Sequence, residues 1–228
     1  MLIFTLPLVH AVEPLYLDKE SCSSQFQACQ CVEKGCFPTF SSRIDIISPD
    51  HKKRLMKGAW EPSCPVPIDE LRQVHLLHWT EDGTVKKGEL VVAASVAHHV
   101  SQVFQKLYEI RFPVHKMQGV ENYGGSDRLS MEDNNTSALN CRVVKGTQKW
   151  SEHSYGLAID INPKWNPWVK GKRFDPKNAN LYVDRSNYRE GMIRSGDPII
   201  QYFSDIGWKW GGNWRSAKDY QHFSRSGR

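Results

Sequence analysis

An α+β fold, built as a small antiparallel sheet with flanking helices, follows from three features of the sequence. Apolar residues are strand-like over 71–79 and again after a turn. They recur at helical spacing over 95–110, and helical and strand-like stretches are joined by hairpin-like connections rather than in a regular βαβ order. At 228 residues, 39% of them hydrophobic, the chain can bury one core and carry an N-terminal appendage.

The elements are expected in this order. Residues 20–68 hold turn formers, four clustered cysteines and no sustained periodicity, so they are expected to be a small irregular region, closed by the extended segment of Pro62, Pro65 and Pro67. Val74, Leu76, Leu77 and Trp79, the turn Glu81-Asp82-Gly83-Thr84 and the stretch 85–92 predict a β-hairpin. Val96, Val100, Val103, Phe104, Leu107 and Ile110 then fall at spacings of three and four. They predict an amphipathic helix with Ser95 as N-cap, ended before Pro113. A loop through Gly124-Gly125 and Asn134-Asn135-Thr136 leads to an expected strand at 138–144, and Lys145-Gly146-Thr147 turns the chain. Residues 157–161 are expected to be a buried strand, 198–206 a helix stopped by Gly207, and the segments around Trp208–Gly212 and Gln221–Phe223 the final strands.

Composition narrows the class. The net charge of +5 is modest, and no Lys/Arg block alternates with aromatics as a base-stacking surface would require, so nucleic acid is not expected as a partner. Residues 1–11 form an apolar run ending in a small residue, signal-like but without a preceding Lys or Arg, and too short to span a bilayer. Behind it, Cys22, Cys29, Cys31 and Cys36 cluster, while Cys64 and Cys141 stand alone. An even count in this setting points to disulfides in an oxidising compartment, with free thiols or a metal site as rivals. The single-residue gap of Cys29-x-Cys31 does not suit a zinc knuckle. The organisation expected is a signal-like segment at 1–11, a Cys-rich region at 12–68 and the main domain at 69–228.

Chemistry concentrates in two segments, Ser151-Glu152-His153-Ser154-Tyr155-Gly156-Leu157-Ala158-Ile159-Asp160 and Asp219-Tyr220-Gln221-His222-Phe223. His153, Asp160 and His222 could converge on one metal with a position left open, and Asp219 would be a spare carboxylate for proton transfer. Gly156 and the β-branched flanks of Asp160 favour a turn carrying His153 and a strand carrying Asp160, with Ala158, Asp160 and Asn162 on one face. An aspartate in such an apolar strand is costly unless paired or metal-bound; a buried Asp160 bonded to His153 without any ion is the alternative. Positions 219 and 222 of one regular strand would face opposite ways, so Asp219 must sit at a bend. His98 and His99 are adjacent on a helix and cannot chelate jointly; with His75 and His78 they are expected to be structural or surface residues. Ser151 either caps the turn or orients the site. Trp165, Trp168, Trp208, Trp210 and Trp214 either line a groove or pack the core.

The pattern Ser151-x-His153-x-x-Gly156-x-Ala158-x-Asp160-Ile161-Asn162, followed by Trp210-Gly211-Gly212-x-Trp214 and Asp219-x-x-His222-Phe223, resembles the VanY-type D-alanyl-D-alanine carboxypeptidases. These belong to a zinc peptidase superfamily that also holds L-alanyl-D-glutamate endopeptidases and Hedgehog-like domains. The likeness runs over roughly residues 90–225 and does not reach residues 12–70. It implies a Hedgehog/D-Ala-D-Ala-peptidase-like fold, zinc on His153, Asp160 and His222, Asp219 as general base, and an upstream oxyanion arginine. Arg142 is the best match for that arginine and Arg128 the fallback. It further implies a secreted, periplasmic or cell-envelope enzyme, monomeric and without a stable membrane span, acting on peptidoglycan stem peptides. The activity expected is D-alanyl-D-alanine carboxypeptidase. Lysin-like endopeptidase and non-catalytic zinc-containing binding module are the alternatives, and a wall-targeted effector using residues 12–68 for recognition is a third. Arg142, Arg185 and Arg215 are candidates to clamp a substrate carboxylate.

Overall fold

The structure, a computed structural model, describes residues 11–227. The signal-like stretch therefore lies, apart from Ala11, outside the described residues. Helix α1 (Lys19–Gln25) begins at Asp18, whose carboxylate accepts the Ser21 N–H. Strands β1 (Cys29–Val32) and β2 (Gly35–Pro38) follow as an antiparallel hairpin. Cys22–Cys29 ties α1 to β1, and Cys31–Cys36 crosses the hairpin. The segment expected to be irregular is thus regular, because short covalent loops order a stretch with too few apolar residues for its own core. Strand β3 (Ser42–Ile46) and helix α2 (Pro49–Leu55) complete it. The hydroxyl of Ser48 caps α2, with Pro49 in its first turn.

Strands β4 (Leu71–Trp79) and β5 (Val85–Ala93) form the expected hairpin, and β3 pairs antiparallel with the outer edge of β4. Both faces of this sheet are buried. Val74, Leu76, Leu90 and Val92 share a core with Val100, Val103, Phe104 and Leu107 of helix α3 (Ala97–Glu109), and with Ile159, Phe203 and Phe223. On the opposite face Leu71 and Val91 pack with Leu55, Ala59, Trp60, Val66, Val120 and Leu139. The β3–β4 ladder and the Cys64–Cys141 bridge cross position 68/69, so the Cys-rich region covers part of the main sheet. The N-cap expected at Ser95 is not formed. The helix starts at Ala97 with Val96 in the cap position and no side-chain cap bond, and Ser95 belongs to the tight turn leaving β5, closed by Val96 N–H on Ala93 O.

Beyond α3, β6 (Lys116–Met117) pairs in parallel with a later strand; helix α4 (Asp127–Glu132) and that strand, β7 (Asn135–Thr136), come next. The strand expected at 138–144 is absent. The chain there is extended, with isolated bridges at Ser137 and Val143, because its backbone groups are spent on other segments. Asn140 N–H donates to His153 O, Cys141 N–H to Ala59 O, and Arg142 O accepts from Ser151 N–H. The remaining elements are β8 (Ala158–Asp160), β9 (Trp168–Lys170), β10 (Arg173–Asp175), α5 (Pro198–Asp205), β11 (Lys209–Trp210), β12 (Lys218–Asp219) and β13 (His222–Ser224). Strand β13 lies between β11 and β8, and β9 between β10 and β12, all antiparallel. The architecture is mixed α and β, with several small sheets in place of the single sheet expected.

Cys64–Cys141 closes a loop across 77 positions and anchors the covering segment to the extended chain beside the His153 turn. Replacing both cysteines by Ala should cost about 3 kcal/mol and lower Tm by roughly 10 °C. Differential scanning calorimetry checks this, and an unchanged midpoint contradicts the anchoring role.

Candidate metal centre

His153 sits in the 3-10 turn Glu152–Tyr155. Ser151 caps that turn, its Oγ accepting the His153 N–H at 3.3 Å. The turn ends at Gly156, whose φ of 65° favours glycine; a Cβ there would also lie 2.6 Å from the Ala93 amide nitrogen. Ala93 N–H donates to Gly156 O, so the turn is seated on the end of β5. The His153 ring is oriented by Nδ1, 2.6 Å from Ala138 O. A carbonyl only accepts, so Nδ1 carries the proton and Nε2 presents a lone pair.

Asp160 and His222 are brought together by the β8–β13 register, which places them directly opposite. His222 Nδ1 is 3.0 Å from Asp160 Oδ1, Asp160 Oδ2 is 3.2 Å from His153 Nε2, and the two ring nitrogens are 3.3 Å apart. All three residues are buried. Burial by itself would raise the Asp160 pKa, but the adjoining His153 and His222 rings outweigh it and hold the carboxyl well below the usual range. A tetrahedral zinc with bonds of about 2.0–2.1 Å sets its ligands about 3.3 Å apart. Two imidazoles and one carboxylate at these separations fit such an ion.

Asp219 ends β12, where it pairs with Trp168 of β9, and Tyr220-Gln221 form the bend that carries the chain into β13. The bend required by the sequence argument therefore falls just after Asp219. The carboxyl is half-buried, its Oδ1 is buried without a hydrogen-bond partner, and its pKa is raised to about 7 by desolvation and then by the Asp160 charge. Gly211 makes this juxtaposition possible. A Cβ on it would lie 2.7 Å from Asp219 O, 3.0 Å from Asp219 Cβ and 3.3 Å from His222 Cβ. Trp210 Nε1 donates to Tyr220 O at 2.8 Å and fixes the bend. The role of Gly211 is set by tertiary approach, and its only trace in the sequence is the Trp210-Gly211-Gly212 motif. Gly211→Ala should overpack this contact and destabilise the protein by about 1–3 kcal/mol. A melting curve checks it; a wild-type midpoint would contradict it.

The raised carboxyl has a consequence for stability. Asp219 ionises near 3.8 when unfolded and near 7 when folded without metal, so between these values the native state retains a proton that the unfolded chain has lost. Asp219 therefore withdraws stability from the metal-free protein as pH rises from about 4 to about 7, while buried His78, lowered to about 4, adds stability over the lower part of that range. Asp160, shifted the other way, acts below 3.8 and does not cancel this. The Tm of Asp219→Asn should therefore gain on that of wild type as pH rises across that range, a comparison in which the His78 contribution cancels. Parallel slopes would refute the assignment.

The other expected residues separate into distinct roles. Arg142 lies on the extended segment, with Nη2 held by Asp127 Oδ2 at 2.9 Å and its Nε buried and unpartnered. Ser154 Oγ donates to Arg142 O at 2.7 Å, so the arginine is stitched to the His153 turn. Arg128 pairs with Glu132 within α4. Arg185 is ruled out as a carboxylate clamp: its guanidinium donates to the carbonyls of Trp165, Tyr182 and Ile193 and to Asn166 Oδ1, and it lies over the Tyr220 ring. Arg215 is exposed. Asn162 does not continue the Asp160 strand face. With φ of 47° it leaves the strand, and its amide holds His115 N–H and Pro113 O. Trp165, Trp208 and Trp210 are buried packing residues, whereas the half-buried Trp214 ring lies 5.5 Å from His222. His78 is buried, and burial lowers its pKa to about 4; His75 faces Asp45; His98 and His99 are exposed on α3.

Residues 145–225 match the family model described as D-alanyl-D-alanine carboxypeptidase. No curated protein and no solved structure matches the chain.

Proposed function

We propose, on the premise that over residues 145–225 the chain belongs to the D-alanyl-D-alanine carboxypeptidase family of peptidases, that it is a zinc-dependent metallopeptidase cutting the terminal D-alanyl-D-alanine bond of peptidoglycan stem peptides. The observation that carries this reading is the approach of His153 Nε2, His222 Nδ1 and the Asp160 carboxylate to 3.0–3.3 Å of one another. A zinc ion held by these three would lower the pKa of a bound water toward neutrality and polarise the scissile carbonyl. Asp219 supplies the proton acceptor. It takes the proton as the water oxygen bonds to the carbonyl carbon, and returns it to the amine as the C–N bond breaks. Its desolvated position raises its pKa above that of an exposed aspartate in the metal-free protein, which favours it as the proton acceptor. Arg142, positioned by Asp127 and by the His153 turn, is the group we assign to the carbonyl oxyanion; such donors contribute about 3–4 kcal/mol each.

The six cysteines are all in disulfides, and no helix among the described residues is long and apolar enough to cross a membrane. Three disulfides support a protein that works outside the reducing cytosol, where peptidoglycan lies. Mass spectrometry of muropeptides digested by the purified protein with zinc tests the reading. Loss of a single terminal alanine is expected; release of a longer peptide would reassign the chain as an endopeptidase, and an unchanged digest would remove the catalytic reading.

A further inference from the structure

We propose that His51, Glu89 and Glu121 form a second divalent-cation site, separate from the one described above, which clamps α2 to the main sheet. One ligand atom from each residue lies within 4.8 Å of the other two. They come from three segments: His51 from α2, Glu89 from β5, and Glu121 from the 3-10 turn Val120–Tyr123. The site occupies the sheet face that also carries Leu71 and Val91, at a polar break in an otherwise apolar layer.

The hydrogen bonds define the site chemically. Gln73 Nε2 donates to Glu89 Oε2, which fixes the amide and turns Gln73 Oε1 toward His51. That oxygen accepts from His51 Nδ1 at 2.7 Å. The proton is therefore on Nδ1, which leaves Nε2 as the nitrogen that faces Glu121, whose Oε1 is 3.7 Å away. This separation is beyond a hydrogen bond. His51 Nε2 and Glu121 Oε2 are both buried with no hydrogen-bond partner, and the two side chains are 1% and 3% exposed. A carboxylate desolvated in this way is costly without a counter-charge. Gly119 has no Cβ, and one there would come within 2.1 Å of Glu121 Oε2, so the carboxylate is folded into place by a glycine. One imidazole nitrogen and two carboxylates suit a borderline divalent cation such as zinc. The amide on Nδ1 is the outer partner that orients a metal-bound histidine.

The test starts from His153→Ala/His222→Ala, which removes the first centre. Zinc content is measured by inductively coupled plasma mass spectrometry after incubation and gel filtration. One zinc per chain is expected in this background, two in wild type, and none when Glu121→Gln, a near-isosteric change, is added. Zinc at about a hundredfold excess over Kd should also raise the background Tm by roughly 5–10 °C, and not that of the Glu121→Gln variant. A folded background that holds no zinc, or a count unaffected by Glu121→Gln, overturns the site. Zinc lost on Glu121→Gln but unaffected by the loss of His153 and His222 would leave this site standing and sink the catalytic one.

Discussion

Asp219→Asn should lower kcat by about 10²–10⁴-fold while leaving zinc content and fold intact. The substitution keeps the shape of the side chain beside Gly211 but removes its capacity to take a proton. In the metal-free protein, desolvation and then the Asp160 charge raise the carboxyl to about 7, and the desolvation persists when the site is loaded. Because the residue is assigned no bond to the ion, metal content separates this prediction from a ligand defect. Parallel assays of amine release and bound zinc decide it. Near-wild-type turnover would transfer the base role elsewhere, and lost zinc would make Asp219 a ligand.

The second large effect concerns the ligands themselves. His153→Ala should lose the tightly held zinc of this centre and lower kcat/KM by about 10³-fold or more, since a metal supplies several kcal/mol of charge stabilisation. The structure gives the reason for choosing His153. Its ring is locked by Ala138 O with Nε2 facing Asp160 and His222, so no neighbouring imidazole takes its place. Removing it also leaves the buried Asp160 with one histidine in place of two, and breaking such a buried arrangement costs about 3–5 kcal/mol. Circular dichroism must therefore accompany the kinetics. Retention of activity in a folded His153→Ala protein would contradict the assignment.

The parts of the fold governed by local periodicity were legible in the sequence. The β4–β5 hairpin showed as two strand-like stretches about a turn, and α3 and α5 as apolar faces at spacings of three and four. The segment at 138–144 looks strand-like through Ala138, Leu139, Val143 and Val144, but its backbone bonds scatter, from Asn140 to His153, from Cys141 to Ala59 and from Val144 to Lys149. The β1–β2 hairpin was hidden for another reason: disulfides, not an apolar stripe, order it. At the site, the turn of His153 and the strand of Asp160 could be read from Gly156 and β-branching. The β8–β13 register that faces His222 to Asp160, and the close approach of Gly211, are tertiary facts with no local signal. The contact of His51 with Gln73, 22 positions apart, likewise has no local signal.

On the function proposed above, His153, Asp160 and His222 hold the ion on which peptide hydrolysis depends. The most direct test is to titrate zinc into metal-stripped protein while following alanine release from a pentapeptide ending in D-alanyl-D-alanine. Wild type should be inactive without zinc and gain activity as zinc is added, whereas His222→Ala should stay inactive at every zinc concentration that leaves it folded. Full hydrolysis by the stripped wild type, or a His222→Ala protein that zinc activates equally, would contradict the account.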